Sequence, residues 1–260
     1  MIKFFRKIRY DLMEKNKTGK YFKYAIGEIA LVVIGILIAL QINNWNESRK
    51  KGIAEQNLYQ TLISSLESDL EDANDKISSV DKSIKAQEIF IINSFEEIKD
   101  KFNTVQLEEF LYSVSNSSRS FFPNYGLYEK ISNNNQIDLI QSTELQMKII
   151  ELYEQYYKRY NDIDLNLERQ VVFSLNDNYF SKIEDHYINN NGNYRIDFET
   201  LKTDYDVLNT ECRKIHTLTT VVHSSMIDCK NQIKSLLTLI KKEIKNNEST
   251  TTLCFIMTNR

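Results

Sequence analysis

The apolar and polar positions along this chain follow two different rules. Between Ile29 and Leu40 every residue is apolar, and from Tyr24 to Ile42 only Glu28 and Gln41 interrupt the run. At the rise of an α-helix such a run covers about 28 Å, close to the thickness of a bilayer's hydrocarbon core. The core helix of a water-soluble protein keeps a polar stripe, and this run has none. The pattern predicts a membrane-spanning helix over 24–45, with Tyr21, Tyr24 and Trp45 as anchors at its interfaces.

Beyond Gly52 the pattern becomes periodic. Leu66, Leu70, Ala73, Ile77, Val80 and Ile84 alternate steps of four and three, and Ile91 and Ile98 continue the register after Gln87 and Ser94 replace apolar residues. That spacing predicts one long amphipathic helix to about Lys101, joined to the span by a short polar segment from Asn43 to Gly52. Asn103 and Gln106 are spaced as a capping box, so a short helix is expected over 105–113. The irregular stretch 114–126 carries Phe121, Phe122 and Tyr125 beside the single proline, and another short helix is expected over 124–132. From Ser142 to about Asn176, the residues Leu145, Ile149, Leu152, Tyr156, Tyr160, Ile163, Leu167 and Val171 form one face. After a loop around Gly192, a short helix is expected over 198–207. A long one follows over 208–245, its seam running Leu208, Cys212, Ile215, Thr219, Val222, Met226, Cys229, Ile233, Leu236 and Ile240.

Composition supports this reading. One proline and 6 glycines in 260 residues leave little material for the tight turns of a β domain. The expected class is therefore all-α: an N-terminal transmembrane helix followed by an elongated antiparallel helical bundle, coiled-coil-like in its repeats. The corresponding divisions are a basic tail over 1–23, the span over 24–45, the bundle over 46–247 and a C-terminal tail over 248–260.

Charge adds an orientation. Residues 1–23 hold eight Lys or Arg against Asp11 and Glu14, whereas Arg49, Lys50 and Lys51 make only a small cluster on the other side of the span. The larger cationic excess is retained in the cytoplasm, which places the C-terminal region outside: in a bacterium, a single-pass inner-membrane protein with a periplasmic domain. Apolar residues at helical spacing in MIKFFRKIRYDLM suit a short helix lying in the headgroup layer. A cleaved signal peptide would need a small-x-small site after the apolar core; Ala39-Leu40-Gln41-Ile42-Asn43 offers none, so an uncleaved anchor is expected. Residues 52–260 carry 22 basic and 32 acidic groups, a surface that argues against nucleic acid as partner.

Candidate chemistry is sparse. Glu28, Gly35 and Ala39 share one face of the span, and Gly35-x-x-x-Ala39 is the small-xxx-small spacing that lets a second helix approach closely. Cys212 and Cys229 lie 17 residues apart on one expected helix, about 25 Å, too far for a disulfide. Cys212, His216 and His223 share a side of that helix, but no further ligand can be placed beside them and no metal site is expected. The sequence has no Gly-x-Ser-x-Gly, His-Glu-x-x-His, Cys-x-x-Cys or phosphate-binding glycine loop. No catalytic residue and no cofactor are expected.

FFRKIR, KYAIGEIALVVIGILIALQINNWNE and the later pattern Tyr128, Ile131, Ile137-Asp138-Leu139-Ile140, Glu144-Leu145, Ile149 and Tyr156-Tyr157 carry a resemblance. The chain resembles an uncharacterised family of single-pass envelope proteins from flavobacteria and their relatives. That resemblance implies the topology and a domain of unknown function, with no activity or site residue to carry over. The expected function is that of a membrane-anchored interaction or scaffold protein, held in the lipid bilayer and binding a protein partner or itself. The alternative is a helical domain that senses a small ligand and signals through the span.

Overall fold

A computed structural model describes residues 18–181 and 198–258 of the chain. The expected headgroup helix in MIKFFRKIRYDLM and the loop around Gly192 lie outside the described residues. Among the described residues the protein is all-α, with no strand. It divides into two compact units, Met1–Gln56 and Asn57–Arg260.

The first helix, α1, runs over Thr18–Ile92. It includes the segment Asn43 to Gly52, which was expected as a joint. Gly52 is the poorest helix former there, and a single glycine costs a helix about 1 kcal/mol, too little to break it against flanking turns. Within the first unit, the large apolar side chains from Phe22 to Trp45 that are described are exposed, Leu31, Ile34, Leu37 and Leu40 among them. This helix is long and apolar enough to cross a bilayer.

In the second unit α1 becomes amphipathic. Leu58, Leu62, Leu66, Ala73, Val80 and Phe90 are buried, with Asp69 occupying a core position where Leu70 was expected; Leu70 and Ile84 are only partly buried. The helix stops at Ile92, short of the expected Lys101. Ser94 is the cause, because its side chain accepts from the Glu97 amide while the Glu97 carboxylate accepts from the Ser94 amide. This reciprocal capping box starts a new helix, α2 (Phe95–Lys101). The expected box at Asn103 and Gln106 is present and starts α3 (Thr104–Ser115). Asn124 caps α4 (Tyr125–Asn133), and Ser142 caps α5 (Thr143–Glu151) after a 3₁₀ turn over Gln136–Leu139.

From α5 the chain stays helical but changes its winding twice. A π-helical turn over Leu152–Tyr157 leads into α6 (Lys158–Gln170), and a longer π-helical stretch covers Val171–Phe180. Each wide turn takes in an extra residue, which rotates everything after it. The face buried in the core is consequently Tyr153, Tyr157, Tyr160, Asp164 and Leu167, whereas Tyr156 and Ile163, expected on the seam, are turned part-way out.

The last helix, α7, runs without interruption over Phe198–Thr258, joining the two helices expected there. All ten positions of its expected seam, from Leu208 to Ile240, are buried. Hydrogen bonds and ion pairs give its direction: Asn209 Nδ2 donates to the Phe90 carbonyl, Gln87 Nε2 to Thr219 Oγ1, and Lys241 reaches Glu67. Rising numbers on α7 meet falling numbers on α1, so the two helices run antiparallel within this unit.

Candidate functional site

The loop between α3 and α4 has its backbone tied down at three points by side chains from elsewhere in the chain. The Phe121 amide donates to the Tyr160 hydroxyl at 2.8 Å, the Phe122 amide to Asp72 Oδ2 at 3.1 Å, and the Asn124 amide to Asp69 Oδ1 at 3.1 Å. Two of the acceptors come from α1 and one from α6. Asp69 uses its second oxygen to accept from the Tyr157 phenol at 2.9 Å. The same carboxylate therefore fastens both the loop and the last residue of the first π-helical segment.

Rings fill the space around these bonds. Phe121 meets Tyr157 edge-on at 5.7 Å and Tyr160 at 5.6 Å, and Tyr125 meets Tyr157 edge-on at 5.8 Å. Tyr128 stacks flat on Tyr153 at 4.5 Å. Such pairs add to what area burial alone contributes. The result is that Phe121 folds into the core and Tyr125 is half-buried, while Phe122 between them is left 77% exposed.

The electrostatics suit a clasp. Burial pushes the Asp69 carboxyl up from its ordinary value, and the Asn124 amide and Tyr157 phenol pull it back by favouring the anion. Asp164 is raised by burial too, with the Ser120 and Tyr160 hydroxyls opposing. Burial, reinforced by the charges of Asp69 or Asp164, pushes Tyr153, Tyr157 and Tyr160 well above the ordinary phenol range. These phenols stay protonated: the Tyr157 hydroxyl donates to Asp69, and the Tyr160 hydroxyl accepts from the Phe121 amide. The buried hydroxyls of Ser65, Tyr125 and Tyr153 have no well-directed hydrogen-bond partner.

Two further places were singled out by sequence. In the span, Gly35 has no heavy atom within 4 Å of where a Cβ would sit and Ala39 is exposed, so this face is open; Glu28 is partly exposed. Trp45 is exposed; the side chains of Tyr21 and Tyr24 lie outside the described positions. On α7, Cys212 is buried and burial pushes its thiol up, while Cys229 is pushed up to about 12. Neither thiol ionises near neutral pH. His216 Nδ1 lies 3.3 Å from Gln87 Oε1, and His223 Nε2 lies 3.0 Å from Asp81 Oδ1. The Cys212, His216 and His223 positions are thus not brought to a common point, and among the described residues no group of three ligands converges.

A second feature lies between α6 and α7. It is a cleft of about 320 Å³ lined by Tyr156, Arg159 and Ile163 on one side and Val221, Ser225 and Asp228 on the other. Sequence reasoning missed it because it placed Tyr156 and Ile163 in the core.

The match to known proteins covers the loop and only the first wall of the cleft. A family described as a family of unknown function, DUF6090, matches residues 28–182. The chain belongs to the DUF6090 family. The DUF6090 match takes in most of the span, the whole α3–α4 loop and the helices that fasten it, and ends just after the second π-helical stretch. No curated protein and no solved structure matches the chain.

Proposed function

We propose that this protein is a non-catalytic, membrane-anchored interaction protein whose α3–α4 loop is the contact point for a protein partner or a second copy. The observation that carries the reading is Phe122. A large ring that is 77% exposed sits on a loop whose amides on both sides are held by Asp69, Asp72 and Tyr160. An aromatic side chain presented on a pre-ordered backbone loses little entropy on docking, which is why such residues dominate interface energetics. The apolar helix over 24–45 supports an anchor in the bilayer, and the basic residues before it support a cytoplasmic N-terminus. On this reading the Asn57–Arg260 unit is an elongated antiparallel bundle outside the inner membrane of a bacterium. Glu28, Gly35 and Ala39 form a second contact face within the lipid.

A photo-reactive amino acid at position 122 of the full-length chain in native membranes tests this. A discrete cross-linked species is expected, absent with the same probe at the exposed Lys234. Equal labelling at both positions overturns it. The ligand-sensing alternative is favoured by one observation, the cleft between α6 and α7.

A further inference from the structure

We infer that the cleft between α6 and α7 is a binding site for a small zwitterion with an aliphatic side chain, a free α-amino acid of the leucine or valine kind. This goes beyond the interaction reading, because none of the cleft residues belongs to the α3–α4 loop.

Helical spacing builds the site from both walls. Tyr156, Arg159 and Ile163 fall on one face of the first wall at steps of three and four, and Val221, Ser225 and Asp228 fall on one face of α7 at steps of four and three. The first wall exists because of the π-helical turn over Leu152–Tyr157. Continued α-helical winding would have placed Tyr156 in the core. The wide turn gives that place to Tyr157 and aims Tyr156 and Ile163 away from it, a use of π-turns that recurs at functional sites. Tyr156 is fixed there from α7: Gln232 Nε2 donates to its hydroxyl at 3.1 Å, and the Cys229 thiol donates to its carbonyl at 3.6 Å.

The chemistry of the lining selects the ligand. Arg159 presents a planar fork that matches a carboxylate, and Asp228 presents an acceptor for an ammonium group. Among the described residues neither makes an ion pair or a hydrogen bond, and the same holds for Ser225, so these groups are available to a ligand. One cation and one anion favour a zwitterion over a simple anion or cation. The Tyr156 ring, Ile163 and Val221 offer an apolar wall for an aliphatic side chain. At about 320 Å³ the cleft is at the small end of ligand sites, with room for an amino acid.

Isothermal titration of the full-length, detergent-solubilised protein with L-leucine, L-isoleucine and L-valine tests the inference. Saturable binding of at least one is expected. Leucinamide, which lacks the carboxylate, and 4-methylpentanoate, which lacks the ammonium, are expected to bind about tenfold or more weakly. Arg159→Gln and Asp228→Asn are each expected to weaken the amino acid about tenfold or more, while both variants keep the parent's melting temperature. Arg159→Lys is expected to fall between, because it keeps the charge and loses the fork. No binding of any of the three, or analogues or neutral variants that bind as tightly as the amino acid binds the parent, overturns the inference.

Discussion

α1 carries two apolar surfaces that obey opposite rules. Over 29–40 every position is apolar, and the large side chains are exposed; over 58–90 apolar residues recur at every third or fourth position, and Leu58, Leu62, Leu66 and Val80 are buried. The intrinsic helix propensities of the two stretches do not separate them, since both are rich in residues that helices accept. What separates them is the surroundings each is written for. A striped helix expects protein on one side and water on the other, and an unstriped one expects apolar surroundings all round. The second unit supplies protein to the first kind, and the second kind is long and apolar enough to cross a bilayer.

The comparison breaks most visibly if charge is placed on the unstriped surface. Ile34→Arg with Leu37→Arg introduces two guanidinium groups near the middle of the run, at about 3 kcal/mol each on insertion scales. The expected outcome is loss of the chain from the alkali-resistant membrane pellet. If parent and variant fractionate alike, the run is not in lipid. The matching change on the striped surface is Leu66→Ala, which leaves a cavity in the core and is expected to destabilise the second unit by about 2–5 kcal/mol. Thermal denaturation of the solubilised chain checks it, with Leu37→Ala as the control that leaves the transition of the second unit in place.

A smaller effect sharpens the contrast within the core itself. Asp69 is a charged residue at an apolar position, and removing it by Asp69→Ala leaves the Tyr157 phenol and the Asn124 amide without their acceptor, at a cost of about 3 kcal/mol. Its carboxyl is raised in the folded state, mainly by burial. The folded protein therefore binds that proton more tightly than the unfolded chain does. The contribution is fully present below the ordinary value of 3.8 and is lost as pH rises through the folded value. Asp69→Asn cannot titrate. The difference in denaturant midpoint between parent and Asp69→Asn is expected to shift against the parent as pH rises from below 3.8 to neutral, and a pH-independent difference would refute the assignment.

How much of this was legible in the sequence differs between helices for physical reasons. The seam of α7 was legible throughout, because a regular helix repeats its geometry and every position from Leu208 to Ile240 obeys it. The box at Asn103 and Gln106 was legible because both partners are local. Ser94 and Glu97 carry the same local signal, which the apolar register running through Ile91 and Ile98 masked. The clasp was not legible. An aspartate at position 69 reads as surface unless one knows that Asn124 and Tyr157 meet it, and that meeting depends on a π-helical turn which a count at α-helical spacing cannot register. Phe121, Phe122 and Tyr125 marked the loop as unusual, but only the packed structure separates the two rings that turn inward from the one that does not. Glu28, Gly35 and Ala39 remain a pattern on an open face.

The smallest expected effect concerns two ion pairs made by lysines of α7, one local and one to α1. Lys241 reaches Glu67 on α1 at 2.8 Å, and Lys214 reaches Glu211 at 2.7 Å. In the first pair both side chains are about half exposed, so water and salt compete for each charge and the pair contributes about 0–1 kcal/mol. In the second, Glu211 is 2% exposed and also accepts from Ser174 and Asn178. Burial alone would raise its carboxyl, yet Lys214, Ser174 and Asn178 together hold it below the ordinary value. This carboxylate joins α7 to the second π-helical stretch through two neutral donors as well as one charge. Lys241→Met is therefore expected to change the denaturation midpoint by less than about 1 kcal/mol in low salt and by nothing measurable in high salt. Glu211→Gln is expected to cost more in both, because Ser174 and Asn178 lose a charged acceptor that salt does not reach. Equal, salt-sensitive losses in the two variants would mean that burial does not distinguish these pairs.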